Sequence, residues 1–164
     1  MAVLGHGMQV LAGAGVGWMQ FRVVTTPYPS WVITGLVPAG ASLADGESPG
    51  RDGGTVGPSG GWGGLGYVDW TLPGPAPARD VVKFGQGDRV MVVLDCRQGP
   101  LVRLLVNSRL RQVHHLALPT GGPIVILCPA IAVNCWDGRA ATVEVEAEAP
   151  LPDGWDSDAP AEPS

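Results

Sequence analysis

The two clearest strands of the sequence lie in FGQGDRVMVVLDCRQGPLVRLLVN, residues 84–107. Two apolar runs in this stretch each place every second residue on one face of a strand, and a short turn containing Gly99 and Pro100 separates them. Alternation with a two-residue period is typical of strands that bury one face. The side chains expected to point inward are Val90, Val92, Leu94, Val102, Leu104 and Val106, with Arg103 pointing outward. The stretch predicts an antiparallel hairpin.

On both sides of this hairpin, β-rich runs recur along the chain between Gly and Pro clusters. Helical periodicity is absent from nearly all of the sequence. The runs expected to form strands are 20–25, 31–37, 67–72, 81–84, 111–115, 124–132 and 142–147. Pro129 interrupts one of them and predicts an edge strand or a bulge, because proline has no amide proton for the ladder. Short strands of this kind predict an all-β fold, a two-sheet antiparallel sandwich.

Composition fits one folded domain with few possible kinds of partner. The chain has 164 residues, of which 45% are hydrophobic and 15% charged, with 25 glycines and 16 prolines that fall mainly between the apolar runs. The net charge of −5 and the lack of a basic stripe argue against nucleic acid. No apolar run reaches the roughly 18 residues of a membrane span. Three cysteines form no disulfide framework, which favours a reducing, cytoplasmic location.

Two segments stand apart from the strands. The stretch from about 38 to 66 is expected to be a loop, because ten of the 21 residues from 46 to 66 are glycine; it is either a mobile insertion or a binding loop. The acidic, Pro-rich stretch 148–164 is expected to be a disordered tail with Trp155 as its single anchor. Residues 1–147 are therefore the predicted sandwich domain, and residues 1–16 are interpreted as its first strand and turn rather than a signal peptide.

Several motifs in order resemble the SPRY domain family. Residues 84–88 resemble its F-G-x-G-D turn, 90–95 its V-x-V-x-L-D strand, 101–107 its L-x-x-x-x-N strand and 127–131 its L-x-P-A-V strand. Upstream, 18–23, 31–37 and 67–70 resemble its earlier aromatic strands, so that the likeness covers roughly residues 8–147. The usual Asn-Gly turn is replaced by Asn107-Ser108. The resemblance implies a SPRY or concanavalin A-like jelly roll.

The same resemblance implies a non-enzymatic, intracellular module that binds another protein or a short peptide through its loops, without cofactor, nucleic acid or membrane. Domains of this family often serve as adaptors or belong to ubiquitin-ligase assemblies. In family members that partner a SOCS box, an aromatic after the P-A-V strand and a tyrosine in the earlier aromatic strand shape the pocket. The matching residues are Trp136, followed by Asp137, and Tyr67. Trp62, in the predicted Gly-rich loop, is a further contact candidate because loop aromatics are good anchors.

Two other functional classes remain open from the residues alone. A lectin-like sandwich would need Asp and Asn clusters for calcium, which the loops lack. A glycoside hydrolase could use Glu144 and Glu146, which project from one face of a strand, but a solvated strand face explains them better. His114 and His115 with Cys128 and Cys135 do not predict zinc, because adjacent histidines in a strand point to opposite faces. No catalytic or metal-binding residue is therefore predicted.

Overall fold

The structure is a computed structural model that describes residues 2–3, 10–11, 15–41, 48–51, 57–117 and 126–160. Within these ranges the regular elements are strands and a single 3₁₀ turn, Pro29–Trp31. The strands are β1 Ala2–Val3, β2 Val10–Leu11, β3 Val16–Thr25, β4 Val32–Pro38, β5 Gly60–Gly63, β6 Val68–Trp70, β7 Arg89–Asp95, β8 Leu101–Val106, β9 Arg109–His115, β10 Ile126–Val133, β11 Cys135–Trp136, β12 Arg139–Ala140 and β13 Thr142–Val145. No helix in this described part of the chain is long and apolar enough to cross a bilayer.

The strands form two main antiparallel sheets. Sheet I has the order β1-β10-β4-β5-β6, with β2 also paired to β10. Sheet II has the order β13-β3-β7-β8-β9, and β11 and β12 form a separate small hairpin. Side chains from both sheets meet in one large hydrophobic cluster, which contains Phe21 and Val92 of sheet II and Leu36 and Ile131 of sheet I. The predicted two-sheet antiparallel β-sandwich is confirmed.

The β7–β8 hairpin forms as its alternation predicts. Its register runs from Val90 opposite Val106 to Asp95 opposite Leu101. The side chains predicted to point inward do so, with Val106 only partly buried at the strand end. Arg103 lies on the other face as expected, but it is buried there, only 4% exposed. Something covers the outer face of sheet II.

The covering element is the C-terminal segment, residues 149–157. Ala149, Leu151 and Trp155 pack on an outer cluster formed by Met91, Val93, Leu105 and Leu110. The expectation of disorder from residue 148 is therefore wrong for this segment. Three apolar side chains among acidic residues are enough here, because the outer face of sheet II offers an apolar surface for them to bury. Residues 161–164 lie outside the described residues.

Strand β5 replaces part of the predicted Gly-rich loop. Gly60–Gly63 pairs with β4 on one side and β6 on the other. A side chain at Gly61 would collide with the carbonyl oxygen of Pro49, and one at Gly63 with the Tyr67 ring. Glycine in this strand therefore permits close approach of backbone and ring rather than marking a loop. Parts of the predicted loop, 42–47 and 52–56, lie outside the described residues.

The proline of β10 also departs from expectation. β10 is central in sheet I, pairing with β4 without interruption from Leu127 to Val133, and Pro129 lies opposite Leu36. On the opposite side, the described pairings of β10 involve residues 126–127 with β2 and 131–132 with β1. Pro129 falls between these two short pairings. The ladder thus accommodates a residue without an amide proton in a central strand.

Residues 81–84 do not form the predicted strand. The Val82 and Phe84 side chains are buried in the core. The centres of the Phe84 and Phe21 rings are 6.2 Å apart in an edge-to-face arrangement. The turn that follows is held by Asp88, whose side chain accepts the Gly85 amide at 2.8 Å. It leads directly into β7, so the segment connects the sheets.

Candidate functional site

The candidate site is the end of the sandwich at which β3, β5 and β10 finish and β4, β6 and β7 begin. Backbone hydrogen bonds join the connections there: Asn134 donates to Trp31 at 2.9 Å, Gly64 to Val32 at 3.2 Å and Asp80 to Gly66 at 2.7 Å. We call this surface the loop end. It gathers the 3₁₀ turn, the β5–β6 turn, the segment before β7 and the β11–β12 hairpin.

Trp136 lies at the tip of the β11–β12 hairpin and is 75% exposed. The next two residues, Asp137 and Gly138, have positive φ angles of 51° and 72° and form the tight turn of the hairpin. Paired positive φ values are those of the turn that fits the twist of a two-residue hairpin. Asp137 is exposed beside Trp136. Trp136 is therefore a surface residue and not part of the core.

Tyr67 lies at the same end, on the outer face of sheet I. Its ring packs against Gly63, and its hydroxyl donates to the carbonyl oxygen of Ser30 at 3.3 Å. Burial, and next the nearby Asp69 carboxylate, raise the pKa of Tyr67 to about 12. The hydroxyl thus stays protonated at neutral pH. Tyr67 and the Trp136 hairpin flank the same 3₁₀ turn, which bonds to the tyrosine through Ser30 and to the base of the hairpin through Trp31.

Trp62 is not at this surface. It lies in β5 and is only 1% exposed. The centres of the Trp62 and Trp70 rings are 5.3 Å apart in an edge-to-face arrangement. The Trp62 indole nitrogen donates to the Gln112 side-chain oxygen at 2.8 Å, joining sheet I to sheet II. The interpretation of Trp62 as a loop contact is therefore wrong in its placement. The flanking glycines face outward, so the alternation of β5 places the tryptophan inside.

Sequence reasoning missed other exposed apolar side chains at the loop end. Among the described residues, the large hydrophobic side chains that are most exposed are Tyr28, Leu65, Val81, Trp136 and Val145. Only Val145 lies away from this end, within edge strand β13. Tyr28 is 51% exposed and packs against Trp31, with the centres of the two rings 5.4 Å apart. For Tyr28 and Leu65 the available signal was position, because both fall in stretches predicted to be turn or loop, whereas Val81 begins a run that was predicted to be a strand.

A cleft of about 400 Å³ adjoins Tyr67 on the outer face of sheet I. Its lining is mixed in charge and polarity: Ile33, Ser48, Arg51, Tyr67, Asp69 and Arg79. The Ser48 hydroxyl is buried without a hydrogen-bond partner, which is uncommon for a buried polar group. The cleft therefore offers polar recognition beside the apolar side chains of the loop end.

The two glutamates considered for glycoside hydrolysis both form ion pairs with arginines. Glu144 pairs with Arg22 at 3.2 Å, and Glu146 pairs with Arg89 at 3.0 Å. Val145, which lies between the two glutamates in the sequence, is 38% exposed at this sheet edge. The first pair joins the neighbouring strands β13 and β3, and the second reaches past β3 from the end of β13 to β7. In the part of the chain described, no group of three His, Cys, Asp or Glu side chains is placed to hold a metal ion.

The comparison with solved structures bears on the fold. The crystal structure of the SPRY domain of human HERC1 matches with a TM-score of 0.54 and 11% sequence identity, over 90% of this chain and 92% of that chain. The fold is that of a SPRY domain. No family model matches the sequence, and no curated protein does. The SPRY likeness inferred from motifs is thus supported for the fold.

Proposed function

We propose that this chain is a non-enzymatic protein-interaction module that binds a peptide segment or protein surface at the loop end, with Trp136 as its principal anchor. The observation that carries this proposal is the 75% exposure of Trp136 on a two-residue hairpin turn fixed to the sandwich. A large aromatic side chain on a rigid support loses little conformational entropy on binding. Such residues commonly dominate binding energy.

The surroundings of Trp136 support the same role. Tyr28, Leu65 and Val81 add apolar surface at the same end, while Tyr67 lines the polar cleft nearby. A central apolar contact with polar groups around it is the usual anatomy of a protein interface. Asp137 gives the tip a negative charge next to the indole ring. A partner segment with an apolar pocket and a neighbouring basic side chain would complement both.

Location and assembly belong to the same proposal. All three cysteines are free, with Cys96 and Cys128 buried and Cys135 exposed. Burial raises the pKa of the Cys128 thiol, which keeps it protonated. An exposed free thiol beside the proposed interface fits a reducing compartment such as the cytoplasm. An adaptor role within a larger assembly, including a ubiquitin ligase, fits a domain that binds without acting on its partner.

The test is quantitative affinity capture from cell extract with the immobilised full chain. We compare the wild type with Trp136→Ala and with Val145→Ala, a matched change at an exposed apolar residue away from the loop end. The proposal expects at least one protein that the wild type and Val145→Ala retain and that Trp136→Ala loses. Loss of an anchor of this kind costs about 2 kcal/mol or more, roughly thirtyfold in affinity. Identical capture by all three chains rejects the loop end as the interface.

A further inference from the structure

The C-terminal segment 149–157 packs on the outer face of sheet II without joining the sheet. Its apolar side chains sit on the outer cluster described above, and the Ala149 carbonyl oxygen accepts the Trp18 indole N–H at 2.8 Å. None of the described ladder pairings includes a residue of this segment. It is therefore held by anchor side chains and isolated hydrogen bonds, not by strand addition.

Trp155 is the central anchor. The Arg97 guanidinium lies 4.8 Å from the centre of its ring and that of Arg103 lies 5.5 Å away. Arginine over an indole face is a favourable cation–π arrangement. The two arginines are themselves fixed by one carboxylate, because Asp95 accepts Arg97 at 2.8 Å and Arg103 at 2.7 Å. The receptor side of this contact is thus preorganised by residues of β7, β8 and their turn.

The residues after the tryptophan are recognised as well. Arg103 donates to the carbonyl oxygens of Asp156 at 3.4 Å and Ser157 at 3.3 Å, and the Asp156 carboxylate lies 3.9 Å from the Arg97 guanidinium. A tryptophan followed by an aspartate therefore meets both the aromatic and the charged requirement of the arginine pair. Leu151, four residues earlier, supplies the apolar contact on the outer cluster.

The segment does not fill the space available to it. A cavity of about 330 Å³ remains between the arginine pair and the segment. It is bounded by Arg97, Gln98, Leu101 and His115 of the sandwich, by Asp156 of the segment and by Asp158, which follows the segment. Protein interiors and optimised interfaces are close-packed. A cavity of this size means that a ligand with more bulk at this position would make additional contacts.

We propose that the outer face of sheet II is a second peptide-binding site, separate from the loop end, which the chain's own segment 149–157 occupies. Its ligand in trans is a linear peptide segment of another protein with an aliphatic residue four positions before a Trp-Asp pair. Such a segment binds by displacing residues 149–157. Only chains in which residues 149–157 have left the site can bind the outside segment. The apparent affinity for that segment is therefore the intrinsic affinity multiplied by the fraction of such open chains.

The probe is a fluorescent peptide with the sequence of residues 148–160, and its binding to the full chain is followed by fluorescence anisotropy. Trp155→Ala in the protein weakens the internal competitor and leaves the receptor face intact. We expect this variant to bind the peptide at least about tenfold more tightly than the wild type does. Adding Arg97→Gln to Trp155→Ala should remove most of that gain, whereas adding Arg139→Gln, an equal charge change on β12, should preserve it.

A peptide in which the tryptophan is replaced by alanine serves as the specificity control and should not bind. Equal affinity of wild type and Trp155→Ala for the probe, or equal binding of the alanine peptide, overturns the proposal. If circular dichroism shows that Trp155→Ala does not fold, Leu151→Ala takes its place, since it removes a smaller contact from the same competitor. Leu151→Ala must then also raise the affinity for the probe, and its failure to do so rejects the site.

Discussion

Trp62 and Trp136 look alike in the sequence and have opposite environments in the structure. Each is followed within two residues by glycine, and each suggests an exposed loop. Trp62 is 1% exposed in β5, while Trp136 is 75% exposed on a hairpin tip. The difference lies in what pairs with the backbone around them. Trp62 has a strand on both sides, whereas β11 and β12 pair only with each other within the described residues.

Removal of the buried Trp62 side chain should have the largest effect on stability. Trp62→Ala deletes a fully buried ring and its cross-sheet hydrogen bond, so the free energy of unfolding should fall by about 3–5 kcal/mol. Urea denaturation followed by circular dichroism measures this change. Trp62→Phe is the milder variant, since it keeps an aromatic ring in the core while it loses the bond to Gln112 and part of the buried volume. A loss below about 1 kcal/mol for Trp62→Ala would contradict its placement in the core.

Trp155 is intermediate in burial between Trp62 and Trp136. Its half-buried ring packs on the outer cluster and lies close to two guanidinium groups, so Trp155→Ala should lower the free energy of unfolding by about 2 kcal/mol. Asp153→Ala, an exposed position of the same segment, should have no measurable effect. If Trp155→Ala were as stable as the wild type, the packing of residues 149–157 on sheet II would be contradicted.

The carboxylate behind the arginine pair gives a pH-dependent version of the same test. Hydrogen bonds from Arg97 and then Arg103 hold the pKa of Asp95 well below its ordinary value, although burial acts in the opposite direction. Its contribution to stability is therefore present above an unfolded pKa of about 3.9 and is lost as the pH falls below that value.

The measurement is the free energy of unfolding at pH 5 and at pH 3. The wild type should lose stability over this interval, and Asp95→Asn should lose less over it while starting from a lower value. Asp153→Asn controls for removal of a carboxylate that no buried arginine contacts. A pH dependence identical in all three proteins would show that Asp95 is not a stabilising ion partner.

Sequence reasoning succeeded where period-two alternation and local turn chemistry agree. The β7–β8 hairpin, its inward face and the exposure of Trp136 followed from the residues that form them. It failed where tertiary contacts decide the outcome. Nothing local indicates that the glycines of β5 make room for the Tyr67 ring and the Pro49 carbonyl oxygen. Nor does composition show that the outer face of sheet II would bind Leu151 and Trp155.

We propose that Trp136 lies at a protein interface and that the rest of the exposed surface is not equivalent to it. The direct measurement places a photo-crosslinking phenylalanine analogue at position 136 in one chain and at position 145 in another, followed by irradiation in cells. We expect a discrete crosslinked protein from position 136 and none of that mass from position 145. The same crosslinked bands from both positions, or none from position 136 in a folded chain, would contradict it.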